Sequence, residues 1–330
     1  MKYRDLESKK RYSKQYVIPS LEKNGFLDRA EKINACAQFI KTATCDSCYA
    51  THFDGTYSCH DRLCPVCAKK RTLAWSIKLV PMLLELLKRG YHLNMLTFTL
   101  RVTKTDTLEY CLNCLYDAWR YMTHDNKQFR KEFNSLILGG VRSLEVKIGE
   151  RKLEDGTFES TDCWHAHFHV LVWTHGTVPY PYLQSRINHM WNKSLNNLSH
   201  LVDVNSFGGV RVDSIKCSNE TSLLKSILEV FKYITKFDWS CERVKELVEG
   251  LDGVRGLNAF GNFRYFLHEA EIAKLMDKSL TELEDRICVV CGNNSFIFAD
   301  MYDTGNLLVQ DFETTKFEFL SALSRFNEID

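Results

Sequence analysis

Nowhere does this chain approach the run of about eighteen apolar residues that a membrane helix requires, so the sequence gives no sign of a membrane-spanning segment. The opening residues, Met1 to Glu7, mix charges and lack the apolar core of a secretory signal; the protein is expected to be soluble and cytoplasmic. Proline is scarce, at 5 residues, and the 16 glycines are scattered, which excludes a low-complexity or collagen-like chain. No internal repeat is visible, so a solenoid is excluded as well. Nor does one sign of charge dominate. With 43 Lys and Arg against 42 Asp and Glu the net charge is +1, and nothing in the total marks a nucleic-acid binder.

What is present is ordinary globular material: 330 residues, 45% hydrophobic and 26% charged, enough for one large domain or two modest ones. The charges are unevenly spread. Residues 1–78 carry fifteen basic and eight acidic side chains, whereas residues 269–330 carry five and thirteen. That asymmetry suggests a basic end that meets an anion and an acidic end that does not. Three regions follow: a basic N-terminal region over 1–91, a main body over 92–268, and an acidic C-terminal segment over 269–330. In the main body, residues 93–102, 141–148, 163–173 and 209–215 read as strands, and 108–133, 183–195 and 221–237 as helices. A helix is also expected over 68–88. Strands and helices mixed in this order predict an α+β fold, an antiparallel sheet with helices over it.

Thirteen cysteines are many for a cytosolic chain, where thiols serve as metal ligands or as buried small hydrophobes. Cys45-x-x-Cys48 and Cys64-x-x-Cys67 lie fifteen residues apart, the spacing of a structural zinc site. Each C-x-x-C turn offers two thiolates, and two turns complete a tetrahedron. Cys59, His52 and His60 are spare candidates. Cys288 and Cys291 form half a site, which Cys217, Cys241 or another chain would have to complete. Around the second turn, Arg62, Lys69, Lys70 and Arg71 form a basic helix start suited to phosphate.

The segment Cys163–Trp173 is the most informative. Alternation puts His165, His167 and His169 on one strand face, with Ala166, Phe168 and Val170 on the other. Three neighbouring imidazoles repel one another when protonated, and a divalent ion resolves the conflict. Glu145, on the preceding strand, can join them if the two strands pair. Further on, Glu229, Tyr233 and Lys236 fall on one face of an amphipathic helix.

Taken in order, Met95–Leu100, the His165–Leu171 run and Glu229-x-x-x-Tyr233-x-x-Lys236 resemble the three motifs of plasmid rolling-circle replication initiators, a branch of the HUH endonuclease superfamily. Arg62-Leu63-Cys64-Pro65-Val66-Cys67 and a strand glutamate like Glu145 resemble further features of that family. The resemblance spans roughly residues 45 to 240. It implies an RRM-like central sheet, with Mn2+ or Mg2+ held by His167, His169 and Glu145, and His165 as a helper. It further implies that Tyr233 attacks a phosphodiester of single-stranded or cruciform origin DNA, leaving a 5′-phosphotyrosine and a 3′-hydroxyl primer. Host helicase and polymerase would be the partners. Position 237 is Phe where some members carry a second tyrosine, so the chain resembles the one-tyrosine branch, in which Glu229 would activate water. The alternatives are an HUH transposase, or a non-enzymatic, zinc-dependent DNA-binding regulator.

Overall fold

The computed structural model describes residues 3–56, 58–152, 158–175, 178–198, 209–215, 243–263, 288, 290–293 and 295–302. The chain divides into two compact units, residues 1–81 with 270–330 and residues 82–269. Among the described residues, no helix is long and apolar enough to cross a membrane.

The first unit opens with three short helices, α1 (Tyr3–Tyr12), α2 (Ile18–Lys23) and α3 (Leu27–Ala35), α1 passing into α2 through a π-helical turn at Ser13–Val17. Val17, Leu21, Ala30 and Ile33 form the buried side of this cluster. Two strands follow, β1 (Phe39–Cys45) and β2 (Thr51–Thr56), and then the long helix α4 (Pro65–Lys88), which passes from one unit into the other at Pro81. The sheet is three-stranded. Its third member, β8 (Phe296–Tyr302), is the last strand among the described residues and lies antiparallel on the open side of β1, giving the order β2-β1-β8. Residues 269–330, read from the sequence as a separate acidic segment, therefore supply a strand to the N-terminal unit.

The second unit is the α+β body expected from the sequence. Its strands are β3 (Tyr91–Thr99), β4 (Gly139–Lys152), β5 (Phe158–His175), β6 (Gly209–Ser214) and β7 (Leu257–Gly261), in the order β6-β3-β5-β4-β7 with every neighbouring pair antiparallel. The helices α5 (Leu108–Arg120), α6 (Lys127–Leu136) and α7 (Tyr180–Asn197) come from the connections, and α8 (Val244–Gly250) precedes β7. Phe98 and Phe168, side by side across β3 and β5, meet Trp119 of α5 edge-on at 5.4 and 5.9 Å, and Trp191 of α7 meets Phe98 at 4.9 Å. That aromatic layer seals one face of the sheet.

The single helix expected over 108–133 is two. A π-helical turn at Tyr121–Asp125 ends the first, and Asn126 caps the second by accepting from the amides of Gln128 and Phe129 at 3.0 Å. The two long central strands outrun the sequence expectation because they form one hairpin. A register shift between Ile148 and Glu150 lets the pair continue from Glu150 to Lys152. At the other end of β4 the packing is tight: a Cβ on Gly140 would lie 2.3 Å from the Leu171 carbonyl. The edge strand β6 does not offer a free ladder. From α7, Gln184 bonds the Val210 carbonyl and Val212 amide, and Asn188 accepts from the Val210 amide at 3.1 Å.

Candidate metal centre on the central sheet

The pairing of β4 with β5 decides which side chains can meet. Glu145 stands directly across from His167, and Ser143 across from His169. On the other side of β5, Thr99 faces His167 and Thr97 faces His169. Side chains alternate along each strand, so these groups share the face opposite the Phe98–Phe168–Trp119 layer. The strand pairing on which Glu145 depended is therefore present.

The result is a compact set of three ligand atoms. Nε2 of His167 and Nε2 of His169 lie 3.0 and 2.8 Å from the same Glu145 oxygen, and 3.0 Å from each other. Protons alone do not satisfy that triangle. If both rings donate to the carboxylate, two N–H groups crowd together; if one ring is bare, its lone pair faces an anionic oxygen. A cation at the centre removes the conflict. Ligands in adjacent positions of an octahedral ion, at about 2.1 Å from it, are separated by about 3.0 Å, which matches the observed triangle. The donor set, two imidazoles and a carboxylate, suits Mn2+ and is compatible with Mg2+.

The surroundings hold these groups in usable states. Burial alone would raise the pKa of Glu145, but hydrogen bonds from His167 and His169 outweigh it and hold the carboxyl well below the usual carboxylate range. Thr97 Oγ1 lies 3.2 Å from Nδ1 of His169, and with Nδ1–H donating to it, Nε2 keeps its lone pair for a metal. His167 is 4% exposed, and its Nδ1 finds no hydrogen-bond partner among the described residues. His165 lies on the same face, its ring centre 4.8 Å from that of His167, but outside the three-atom set. Burial, followed by the neighbouring His167, lowers its pKa to about 4, so it is neutral at pH 7.

Of the other residues expected to act, Glu229, Tyr233 and Lys236 lie outside the described residues, as do Cys217 and Cys241. Lys70 and Arg71 are turned onto the cysteine-bearing loop. Lys70 donates to Ser58 Oγ at 2.8 Å, and Arg71 donates to the carbonyls of His60 and Asp61, each at 3.2 Å. Arg62 and Lys69 are half-buried beside them.

The single four-cysteine site expected from spacing is corrected. Cys45 and Cys48 gather with Cys288 and Cys291, whereas Cys64 and Cys67 gather with Cys59 and Cys36. The reason is topological. Cys45 ends β1 beside β8, where residues 288–291 arrive, and Cys59 follows β2, which returns antiparallel toward the start of β1 and Cys36. The reading missed Cys36, which belongs to no short motif. It missed Thr97 as a histidine partner for want of the β3 register. The half-site Cys288-x-x-Cys291, left without a second pair, was the signal for the second grouping.

The family described as replication protein matches residues 50–294. A protein named "Protein rep" from Bacillus sp is 26% identical over 227 residues, covering 64% of this chain and 67% of the relative. A second, from Bacillus amyloliquefaciens, is 25% identical over 224 residues, 63% of this chain and 60% of the relative. A third, from Lentilactobacillus hilgardii, is 24% identical over 277 residues, 78% and 80% of the two chains. No solved structure matches significantly.

Proposed function

Since the chain belongs to the replication-protein family, we propose that it initiates plasmid rolling-circle replication by nicking single-stranded origin DNA with Tyr233 as nucleophile. The observation that carries this reading is the Glu145–His167–His169 triangle, a ligand set that a purely DNA-binding regulator would not need. The shared name of the relatives favours an initiator over a transposase.

The chemistry is a transesterification. The Tyr233 oxygen bonds to phosphorus, the bond from phosphorus to the 3′ oxygen breaks, and that oxygen takes a proton to become the primer hydroxyl. When bound at Glu145, His167 and His169, Mn2+ or Mg2+ supplies electrophilic help at a non-bridging phosphate oxygen. A phenol with an ordinary pKa of about 10 also benefits from a neighbouring cation, a role that Lys236, three residues on in the sequence, would fill. Glu229, four residues before Tyr233 in the sequence, takes a proton from the water that releases the enzyme at termination. Arg62, Lys69, Lys70 and Arg71 supply backbone contacts, which for Lys70 and Arg71 compete with the loop contacts described above. Origin DNA in single-stranded or cruciform form is the substrate, with host helicase and polymerase acting next.

Incubation of the protein with single-stranded origin fragments and Mn2+, followed by denaturing electrophoresis, tests the assignment. A covalent protein–DNA adduct is expected, lost in Tyr233→Phe while DNA binding persists. An adduct of undiminished yield in that variant refutes the assignment of Tyr233.

A further inference from the structure

Eight cysteines of the first unit fall into two sets of four, and in each the four sulfurs lie within 4.8 Å of one another. In the first set Cys36 and Cys67 are 3.5 Å apart and Cys59 and Cys67 3.6 Å. In the second, Cys45 and Cys291 are 3.5 Å apart and Cys48 and Cys288 3.4 Å. A disulfide would bring the sulfurs to about 2.0 Å. Four thiolates at about 2.3 Å from a tetrahedral zinc ion are about 3.8 Å apart, close to what is seen. We propose that the protein binds two zinc ions, one on Cys36, Cys59, Cys64 and Cys67 and one on Cys45, Cys48, Cys288 and Cys291, and that the second fastens the C-terminal strand to the N-terminal unit.

The backbone is shaped for both. In the second site two C-x-x-C turns face each other, and the residue after each, Tyr49 and Gly292, takes a positive φ of 59° and 74°. Both turns are closed by the first cysteine's carbonyl, Tyr49 N to Cys45 O at 3.0 Å and Gly292 N to Cys288 O at 2.8 Å. Asn293 Nδ2 donates to Asp46 and Ser47 at 2.6 and 2.8 Å and lies 3.9 Å from Cys45 Sγ, so it ties one turn to the other. In the first site the Cys59 amide donates to Cys36 Sγ at 3.4 Å. The turn between Cys59 and Cys64 is braced by the Arg29–Asp61 ion pair at 2.8 Å. Lys70 donates to Ser58 Oγ at 2.8 Å, which holds a cationic side chain next to Cys59.

Zinc lets all four thiols of a site ionise, their protons leaving to solvent. The sites differ in access. Cys36, Cys64 and Cys67 are buried with Cys59 half-buried, whereas Cys291 is exposed and Cys48 half-buried. The second ion is accordingly the first to be lost to a chelator.

Elemental analysis and native mass spectrometry of the full chain, purified without added metal, test the proposal. Two zinc ions per chain are expected, falling to one in C288S/C291S. A mild chelator should remove one ion well before the other. Cobalt(II) exchange into the wild type should show charge-transfer absorption for eight thiolates, an arm that holds if the double variant fails to fold. Zero or one zinc in the wild type, four thiolates instead of eight, or two ions retained in C288S/C291S each overturns it.

Discussion

Glu145, His167 and His169 owe their arrangement to cross-strand register, so substitutions there act on metal binding before they act on folding. His167→Ala and His169→Ala are each expected to lower metal affinity and cleavage by about 100-fold or more, read by calorimetry with Mn2+ and by adduct yield. Cleavage that survives chelation of divalent ions would contradict this. Thr97→Val removes the hydroxyl at Nδ1 of His169 and should weaken Mn2+ binding by about tenfold at unchanged stability. Wild-type affinity in that variant would mean the ring needs no partner. On the opposite face, Arg142 is 6% exposed, with its guanidinium over Tyr116, Trp119 and Phe168 at 4.8, 5.0 and 4.3 Å. Burial lowers its pKa to about 10, so it stays charged at pH 7. The planar group stacks where an ammonium does not. In urea denaturation, Arg142→Lys should therefore lose more stability than Arg142→Met, by about 1 kcal/mol. The reverse order would show that charge, and not stacking, is what the site selects. The histidines were legible because alternation alone puts them on one face. Glu145 was legible because its strand also alternates. Cys36 was not, since only the return of β2 toward the start of β1 brings Cys59 to it.

At the scale of elements, the hairpin of β4 and β5 carries the site, and its closeness to neighbours sets what it tolerates. Gly140→Ala would force a methyl group against the Leu171 carbonyl and the Phe260 ring. A loss of about 2 kcal/mol or more is expected, seen as a lower urea midpoint. An unchanged midpoint would mean the strands part without cost. Four of the five strands expressed a two-residue period in the sequence and were readable from it. The break at Asn126 was not. Apolar side chains on the buried side of α5 continue through Met122 to Phe133, so the period runs on past the point where the backbone stops. β7 was also missed, being five residues with no fully buried position. β8 carried no signal that it belongs beside β1, because pairing across so many residues leaves no trace in local pattern.

For the whole molecule, the unequal charge of the two ends takes on another meaning once both lie in one unit. Fifteen basic and eight acidic residues in 1–81 meet five and twelve in 270–330, and the unit is neutral. Affinity for DNA then rests on local patches. Residues 303–330 hold six acidic and two basic side chains, so a chain ending at Tyr302 keeps β8 and every clustered cysteine while its net charge rises from +1 to +5. Tighter non-specific binding of single-stranded DNA, by about threefold or more at low salt and fading as salt rises, is expected in fluorescence anisotropy. Equal affinity at low salt would assign the acidic residues no role in screening DNA.

The central place of β1, between β2 and β8, has a consequence for the order of events during synthesis. Residues 82–269 are all synthesised before β8, so a chain that stops short of β8 holds the whole sequence of the unit bearing Glu145, His167 and His169 while β1 has one bare edge. Limited proteolysis of a released chain ending at residue 269 should find that unit protected and residues 39–56 cut; equal protection of both would show that β1 and β2 hold without a third strand. A product halted before β8 would then carry the five-stranded sheet in one unit and only β1 and β2 in the other, with an open strand edge available to another copy of the chain.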